Sequence, residues 1–211
     1  MKKIIVYLGP SLHYNEAVKI LSADYRAPVK RNDILNVIDE SPDIIGIIDG
    51  VFHQQPAVSH KEILKAIETG ITVVGGSSMG ALRASELDSL GMMGIGWVYK
   101  QYSEGKILSD DDVSLTFTSD DYTPLSEALV NIAYNLNIAE EQDIINNSEK
   151  EEILEVSKNI YYPERTYSHI LSKSNISERS KNNLKHFLKT AIDIKQKDAI
   201  ELLKYIKKAI S

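Results

Sequence analysis

Cysteine is absent from the 211-residue sequence. The chain therefore has no disulfide, no thiolate nucleophile, no cysteine-based zinc or iron–sulfur site, and no residue that carries sulfur as a persulfide. Long apolar runs are missing too, since no stretch approaches the eighteen or so consecutive apolar residues of a membrane span. The short apolar segment at residues 4–8 does not suffice for a signal peptide. We expect a cytoplasmic protein without membrane contact.

Basic charge is scarce, with 24 lysines and arginines against 30 acidic residues and a net charge of −6. This balance argues against a nucleic-acid partner, because phosphate binding needs a basic surface. The charges are also unevenly spread: residues 109–155 hold thirteen acids and one base, whereas residues 173–208 hold ten bases and four acids. Such runs are typical either of solvated faces or of docking surfaces for protein partners.

Glycine does not occur after Gly105, so the chain changes from turn-rich to helix-forming sequence near its midpoint. In the first part, strand-length apolar runs at 2–8, 43–49 and 71–74 alternate with segments of helical period that begin near Leu12, Ser59 and Met79. The alternation predicts an α/β fold, a Rossmann-like parallel sheet with crossover helices, followed by an all-helical C-terminal part.

We expect residues 1–122 to form the α/β core and residues 123–211 the helical region. The alternating apolar and polar residues at 113–118 predict an edge strand of the sheet.

Ligands of open α/β sheets bind beyond the carboxyl ends of the strands. The segment Gly76-Ser77-Ser78-Met79-Gly80 lies there and has the pattern G-x-S-x-G between a buried strand and a helix. In a nucleophile elbow, the serine hydroxyl stands at the edge of the sheet and the next amide points at the oxyanion. This predicts Ser78 as nucleophile and the Met79 amide as oxyanion donor. The same letters also suit a serine-capped helix that binds an anion without covalent chemistry.

A serine nucleophile needs a base, and His60 is the candidate among five histidines. It opens a helix that Ser59 and Glu62 cap, where the helix dipole favours the neutral ring. His13 and His53 lie near the same crevice. Asp49 follows the second strand, where it could orient the histidine, hold a substrate amine, or simply form an Asp-Gly turn.

Two charged groups have simpler interpretations. Asp110, Asp111 and Asp112 are adjacent and do not have the spacing of a metal loop, so we interpret them as a turn. Arg83 and Glu86 lie one helical turn apart and suit an ion pair, although Arg83 could instead face an anionic substrate. The sequence predicts no metal and no cofactor.

Taken together, several motifs resemble those of the TfuA family. They are residues 9–12, 56–64, 76–87, 91–96, 111–113 and 125–131, with weaker likeness at 162–167 and 196–199. The resemblance implies an accessory role beside a YcaO-type enzyme, which converts a backbone amide into a thioamide. It also implies that the protein hydrolyses the C-terminal thiocarboxylate of a ubiquitin-like sulfur carrier (ThiS-like) and releases sulfide. The modified protein of such systems in methanogens is the methyl-coenzyme M reductase α subunit.

Under this hypothesis Ser78, His60 and Asp49 are catalytic, and the substrate or oxyanion is bound by Ser11, Gly76, Ser77, Met79, Gly80 and Arg83. A sulfide-releasing hydrolase also fits the absence of cysteine, because sulfur must then leave its donor directly. The alternative is a non-catalytic adaptor that docks or allosterically activates YcaO and the carrier. A phosphate binder is the weakest candidate, since neither the P-loop lysine nor the G-x-G-x-x-G order is present.

Overall fold

The computed structural model describes residues 2–52, 55–118 and 120–210. They form two compact units, one of residues up to 110 together with those from 195 onward, and one of residues 111–194. These units are groups of residues in contact, so the division into folding domains at 1–122 and 123–211 stays a prediction. None of the helices described is both long and apolar enough to cross a bilayer.

The first unit is built on a parallel sheet of five strands in the order β2-β1-β3-β4-β5. The strands are β1 (Ile4–Tyr7), β2 (Asp24–Arg26), β3 (Ile44–Ile47), β4 (Thr72–Gly76) and β5 (Met93–Ile95). Crossover helices join them, which confirms the predicted α/β, Rossmann-like parallel sheet. The chain leaves β1 and β3 toward opposite edges of the sheet, so a switch point lies between these two strands.

Six helices accompany the sheet: α1 (Tyr14–Ile20), α2 (Asp33–Ile38), α3 (His60–Glu68), α4 (Met79–Leu87), α5 (Trp97–Ser103) and α10 (Ile194–Ile210). The last of these returns from the far end of the sequence to cover the sheet. Its Ala199, Leu202, Leu203 and Ile206 are buried in the same apolar cluster as Val6 and other strand residues. Helix α10 thus completes the core of the first unit.

The second unit is helical, with α6 (Leu129–Glu141), α7 (Asn147–Asn159), α8 (Tyr167–Lys173) and α9 (Glu178–Phe187). Their apolar faces share one buried cluster. A fully buried arginine, Arg165, organises the surrounding loops: its guanidinium donates to Asp111, to the Ser157 carbonyl at 3.1 Å and to the Ile160 carbonyl at 3.3 Å. An ion pair and two carbonyl acceptors therefore compensate its burial.

One predicted element differs in the structure. Residues 113–118 do not form an edge strand; they contribute an isolated bridge between Phe117 and Pro124, and the sheet ends at β2 and β5. Burial does not follow the alternation here, since Val113 and the polar Ser114 are both buried and residues 115–118 are all half-buried. An alternating sequence of this length is therefore also compatible with a loop. Asp110–Asp112 form a short 3-10 turn, in agreement with the interpretation of the acidic run as a turn.

Candidate functional site at the carboxyl edge of the sheet

The loops after β1 and β3 meet through Asp49. Its Oδ1 accepts a hydrogen bond from Ser11 Oγ at 2.6 Å, and its Oδ2 accepts from the backbone N–H groups of Gly9 at 2.9 Å and Ser11 at 3.1 Å. Both Asp49 and Ser11 are buried. The structure thus brings together two predicted site residues at the switch point of the sheet, and Asp49 holds the loop after β1 in place.

A lysine that the sequence analysis missed lies beside this pair. Lys195, near the start of α10, is 1% exposed. Burial raises the pKa of Asp49, whereas the positive charge of Lys195 and the hydrogen bonds from Ser11 lower it. A sequence pattern could have shown that Lys195 is buried. Positions 195, 199, 202 and 206 share one helix face, and the last three are apolar.

The turn after β4 is tight and strained. Ser77 has a positive φ of 69°, and the Ser78 N–H donates to the Gly76 carbonyl at 2.8 Å, which makes a γ-turn of the rarer kind. Ser77 Oγ donates to the Lys195 carbonyl at 2.9 Å. The start of α10 therefore holds the turn that leads into α4.

Glycines let α4 lie directly against the sheet. A Cβ on Gly80 would stand 1.7 Å from the Ile47 carbonyl oxygen, and one on Gly75 would stand 2.2 Å from the Gly80 oxygen. On Gly76 a Cβ would approach the Ile95 oxygen to 2.7 Å. These glycines therefore bring strand and helix into backbone contact, as the elbow pattern requires.

Ser78 precedes the first residue of α4 in an unusual conformation, with φ −126° and ψ −120°. Its side chain makes no capping hydrogen bond, and its hydroxyl has no hydrogen-bond partner among the residues described. The backbone N–H of the next residue, Met79, also donates to no acceptor among the residues described. A hydroxyl and an amide N–H are thus both available where the helix dipole favours negative charge.

His60 opens α3 as predicted, behind the capping box of Ser59 and Glu62. Its Nε2 lies 2.8 Å from Glu86 Oε2, and Arg83 Nη1 donates to that same oxygen at 2.6 Å. The predicted Arg83–Glu86 ion pair is therefore present. Among the described residues, no hydrogen bond joins His60 to Ser78 or to Asp49. The other candidate base of this loop, His53, lies outside the residues described, and His13 caps α1 by accepting from the Asn15 N–H.

A surface pocket of about 440 Å³ adjoins these groups. One wall is α4, with Met79, Leu82, Arg83 and Glu86; the others are loops that contribute Phe52, Gln55, Ala57, Leu108, Ser109 and Asp110. Ser78 and His60 are not among the described lining residues of this pocket, but Met79, which follows Ser78, and Glu86, which contacts His60, are.

A family model described as TfuA-like protein matches residues 49–166, which is more than half of the chain. The chain belongs to the TfuA-like family. This membership associates the protein with YcaO enzymes and with YcaO-dependent thioamidation. No curated protein matches the chain. The range that matches the TfuA-like family contains Asp49, His60 and the turn at 76–80, whereas Ser11 and Lys195 lie outside it.

Proposed function

We propose that this TfuA-like protein hydrolyses the C-terminal thiocarboxylate of a ubiquitin-like sulfur carrier (ThiS-like) and so supplies sulfide to a YcaO-type enzyme. The observation that carries the proposal is at the start of α4, where neither the Ser78 hydroxyl nor the Met79 N–H has a hydrogen-bond partner among the residues that the structure describes. Hydroxyl and amide have the relative order of a nucleophile and its oxyanion donor.

The proposed reaction has two steps, the acylation of Ser78 and the hydrolysis of the resulting ester. Ser78 Oγ attacks the thiocarboxylate carbon and gives its proton to a base, while the Met79 amide donates to the developing oxyanion. The base returns this proton to the sulfur as the carbon–sulfur bond breaks, so that hydrosulfide leaves and an acyl-serine ester remains. Water cleaves this ester, which frees the carrier as a carboxylate. No oxidant or reductant is needed, and no cysteine takes part.

Burial of Ser78 favours a chain terminus as the substrate. The residue is 2% exposed, so an end of a polypeptide fits the site better than an internal segment or a bulky side chain. The thiocarboxylate is an anion, and the amino end of α4 favours negative charge. Arg83 also lies in the pocket wall, where its Nη1 pairs with Glu86 and its Nε donates to the Val58 carbonyl at 3.1 Å.

Two basic side chains are candidates for the proton acceptor. We assign the role to His60, the first residue of α3, whose Nε2 contacts Glu86 in the pocket wall. Lys195 is the second candidate, because its backbone holds Ser77 and its charge acts on the buried Asp49.

The test follows a thiocarboxylated ubiquitin-like carrier by intact-protein mass spectrometry during incubation with the purified protein. Wild type should convert it to the carboxylate, and Ser78→Ala should not. Ser85→Ala is the matched control, since Ser85 lies on the same helix and bonds only to the Leu82 carbonyl. Conversion by Ser78→Ala at the wild-type rate would refute the hydrolase proposal and favour the adaptor.

The same assay separates the two bases. If His60 accepts the proton, His60→Gln lowers turnover by about 100-fold. A loss of that size in Lys195→Met alone, in a variant that still melts cooperatively, would transfer the role to Lys195.

The adaptor makes a different prediction. If the protein is an adaptor, the rate of the YcaO reaction with free sulfide should rise when the protein is added. This increase should depend on exposed charged residues of the protein and not on Ser78. The exposed lysines of α10, Lys204, Lys207 and Lys208, are better targets for charge reversal than Asp111, which pairs with the buried Arg165. The methyl-coenzyme M reductase α subunit is the proposed modified protein.

A further inference from the structure

We propose that Glu86 positions His60 and fixes which of its ring nitrogens is free to accept a proton. The inference rests on the proposed hydrolase function and adds a residue that the sequence pattern did not assign to the site. Glu86 Oε2 lies 2.8 Å from His60 Nε2 and accepts from Arg83 Nη1 at 2.6 Å.

The donors and acceptors in this cluster determine the tautomer. Arginine can only donate, and an ionised carboxylate can only accept. Glu86 Oε2 is therefore the acceptor in both contacts, so His60 Nε2 carries a proton and donates it. In the neutral ring this leaves Nδ1 as the nitrogen with a lone pair, which is the state of a general base.

A backbone contact fixes the arginine of this cluster. Arg83 Nε donates to the Val58 carbonyl, directly before the capped start of α3. His60 is the first residue of that helix, and Arg83 and Glu86 lie one turn apart on α4. Both ends of the His60–Glu86 contact are thus anchored to helices that flank the pocket.

Asp49 does not compete for this role in the structure. Both of its oxygens accept from Gly9 and Ser11, in the buried cluster with Lys195. The carboxylate that contacts the histidine comes instead from the wall of the pocket, where Glu86 is part of the lining. A carboxylate that holds an imidazole in one tautomer is the orienting member of a catalytic triad.

Nitrogen-15 NMR of the full-length protein tests the tautomer without any substrate. In alkaline buffer, where imidazole is neutral, His60 should show a protonated Nε2 and an unprotonated Nδ1. His169 is an internal control with the opposite tautomer. Its Nδ1 lies 3.1 Å from the Glu164 carbonyl oxygen, which can only accept, so Nδ1 must carry the proton. Glu86→Gln should mix or reverse the His60 pattern and leave His169 unchanged.

Turnover of the thiocarboxylated carrier provides the second readout. We expect Glu86→Gln to lower kcat by about tenfold or more with little change in KM. Glu68→Gln is the matched control, since this exposed glutamate pairs only with Lys65 on α3.

Each outcome separates this inference from the function on which it rests. A protonated Nδ1 at His60 in the wild type would overturn the inference whatever the turnover. Wild-type kcat in Glu86→Gln, with Ser78→Ala inactive, would overturn it and leave the hydrolase in place. If both variants turn over normally, the hydrolase proposal falls and this inference falls with it.

Discussion

At the residue scale, buried polar side chains rather than apolar ones define the carboxyl edge of the sheet. Asp49 joins the loops after β1 and β3, and Ser77 joins the turn after β4 to the start of α10. The Asp49 and Ser77 side chains form these hydrogen bonds within the protein, whereas the Ser78 hydroxyl forms none with the residues that the structure describes. Under the proposed function, Ser78 is the group that reacts with the substrate.

Replacement of Asp49 tests how far this cluster stabilises the fold. Asp49→Ala removes three hydrogen bonds to a buried carboxylate and leaves the N–H groups of Gly9 and Ser11 without this acceptor, so we expect a loss of about 3–5 kcal/mol in the free energy of unfolding. Urea denaturation measures it. Asp24→Ala is the control, because that half-exposed pair with Arg26 is worth about 1 kcal/mol or less. Equal losses in the two variants would contradict the buried cluster as a source of stability.

The sequence pointed to some of these residues and not to others. The G-x-S-x-G spacing located the Ser78 turn, and the capping box located His60, because both depend on neighbours within a few positions. Glu86 was interpreted only as the partner of Arg83, and Lys195 was not singled out. Their contacts span 26 and 118 residues, to His60 and Ser77, and local patterns carry no information about such distances.

At the element scale, the start of α5 depends on a side chain of α10. Asp198 accepts from the Trp97 N–H at 2.9 Å and from the Val98 N–H at 2.7 Å, after a glycine with a φ of 97°. The carboxylate takes the place of a local N-cap. A Cβ at Gly96 would stand 2.4 Å from Asp198 Cγ, so this contact requires glycine.

This cap should make stability depend on pH. Burial raises the pKa of Asp198 from 3.8 to about 6, against the lowering effect of the two amides. The folded protein therefore binds this proton more tightly than the unfolded chain, and the stabilisation is fully present below about pH 3.8 and lost as the pH rises through about 6. A shift of this size corresponds to about 3 kcal/mol.

Asp198→Asn isolates that contribution, because all other titrating groups are shared with the wild type. The free energy of unfolding of wild type minus that of Asp198→Asn should fall by about 2 kcal/mol between pH 4 and pH 7, because part of the full effect lies below pH 4. Chemical denaturation at a series of pH values gives this difference. A difference that is constant with pH would contradict the burial of the Asp198 carboxylate.

The longer, buried strands were predicted from the sequence, and the short, partly exposed strands were not. Strands β1, β3 and β4 are continuous apolar runs, and all three were predicted. Strands β2 and β5 have three residues each and are partly exposed, so no run marks them. Helix starts were predicted within two residues where a cap or glycine marks them, as at His60 and Met79.

At the scale of the whole molecule, helix α10 covers one face of the sheet. Composition placed α10 in the helical C-terminal region, yet its residues from 195 onward belong to the unit that contains the sheet. An apolar stripe shows that a helix is buried on one side, and several surfaces of a protein can accept such a stripe. Only the three-dimensional arrangement identifies the sheet as its partner.

Truncation measures the contribution of α10. A chain that ends at residue 193 loses Leu202, Leu203 and Ile206 from the core, as well as Lys195 and Asp198, and should not melt cooperatively. A chain that ends at residue 207 loses the exposed residues 208–210 and the one residue beyond them, and should melt near the wild-type temperature. Circular dichroism on heating compares them. A cooperative transition at the wild-type temperature in the shorter chain would show that the sheet does not depend on α10.

The central claim is that Ser78 releases sulfide from a carrier thiocarboxylate. Its most direct test is the initial rate at which purified Ser78→Ala forms the carboxylate carrier, relative to wild type and Ser85→Ala. We predict a rate at the uncatalysed background for Ser78→Ala and a wild-type rate for Ser85→Ala. A wild-type rate for Ser78→Ala, in a protein with an unchanged melting temperature, would contradict the claim.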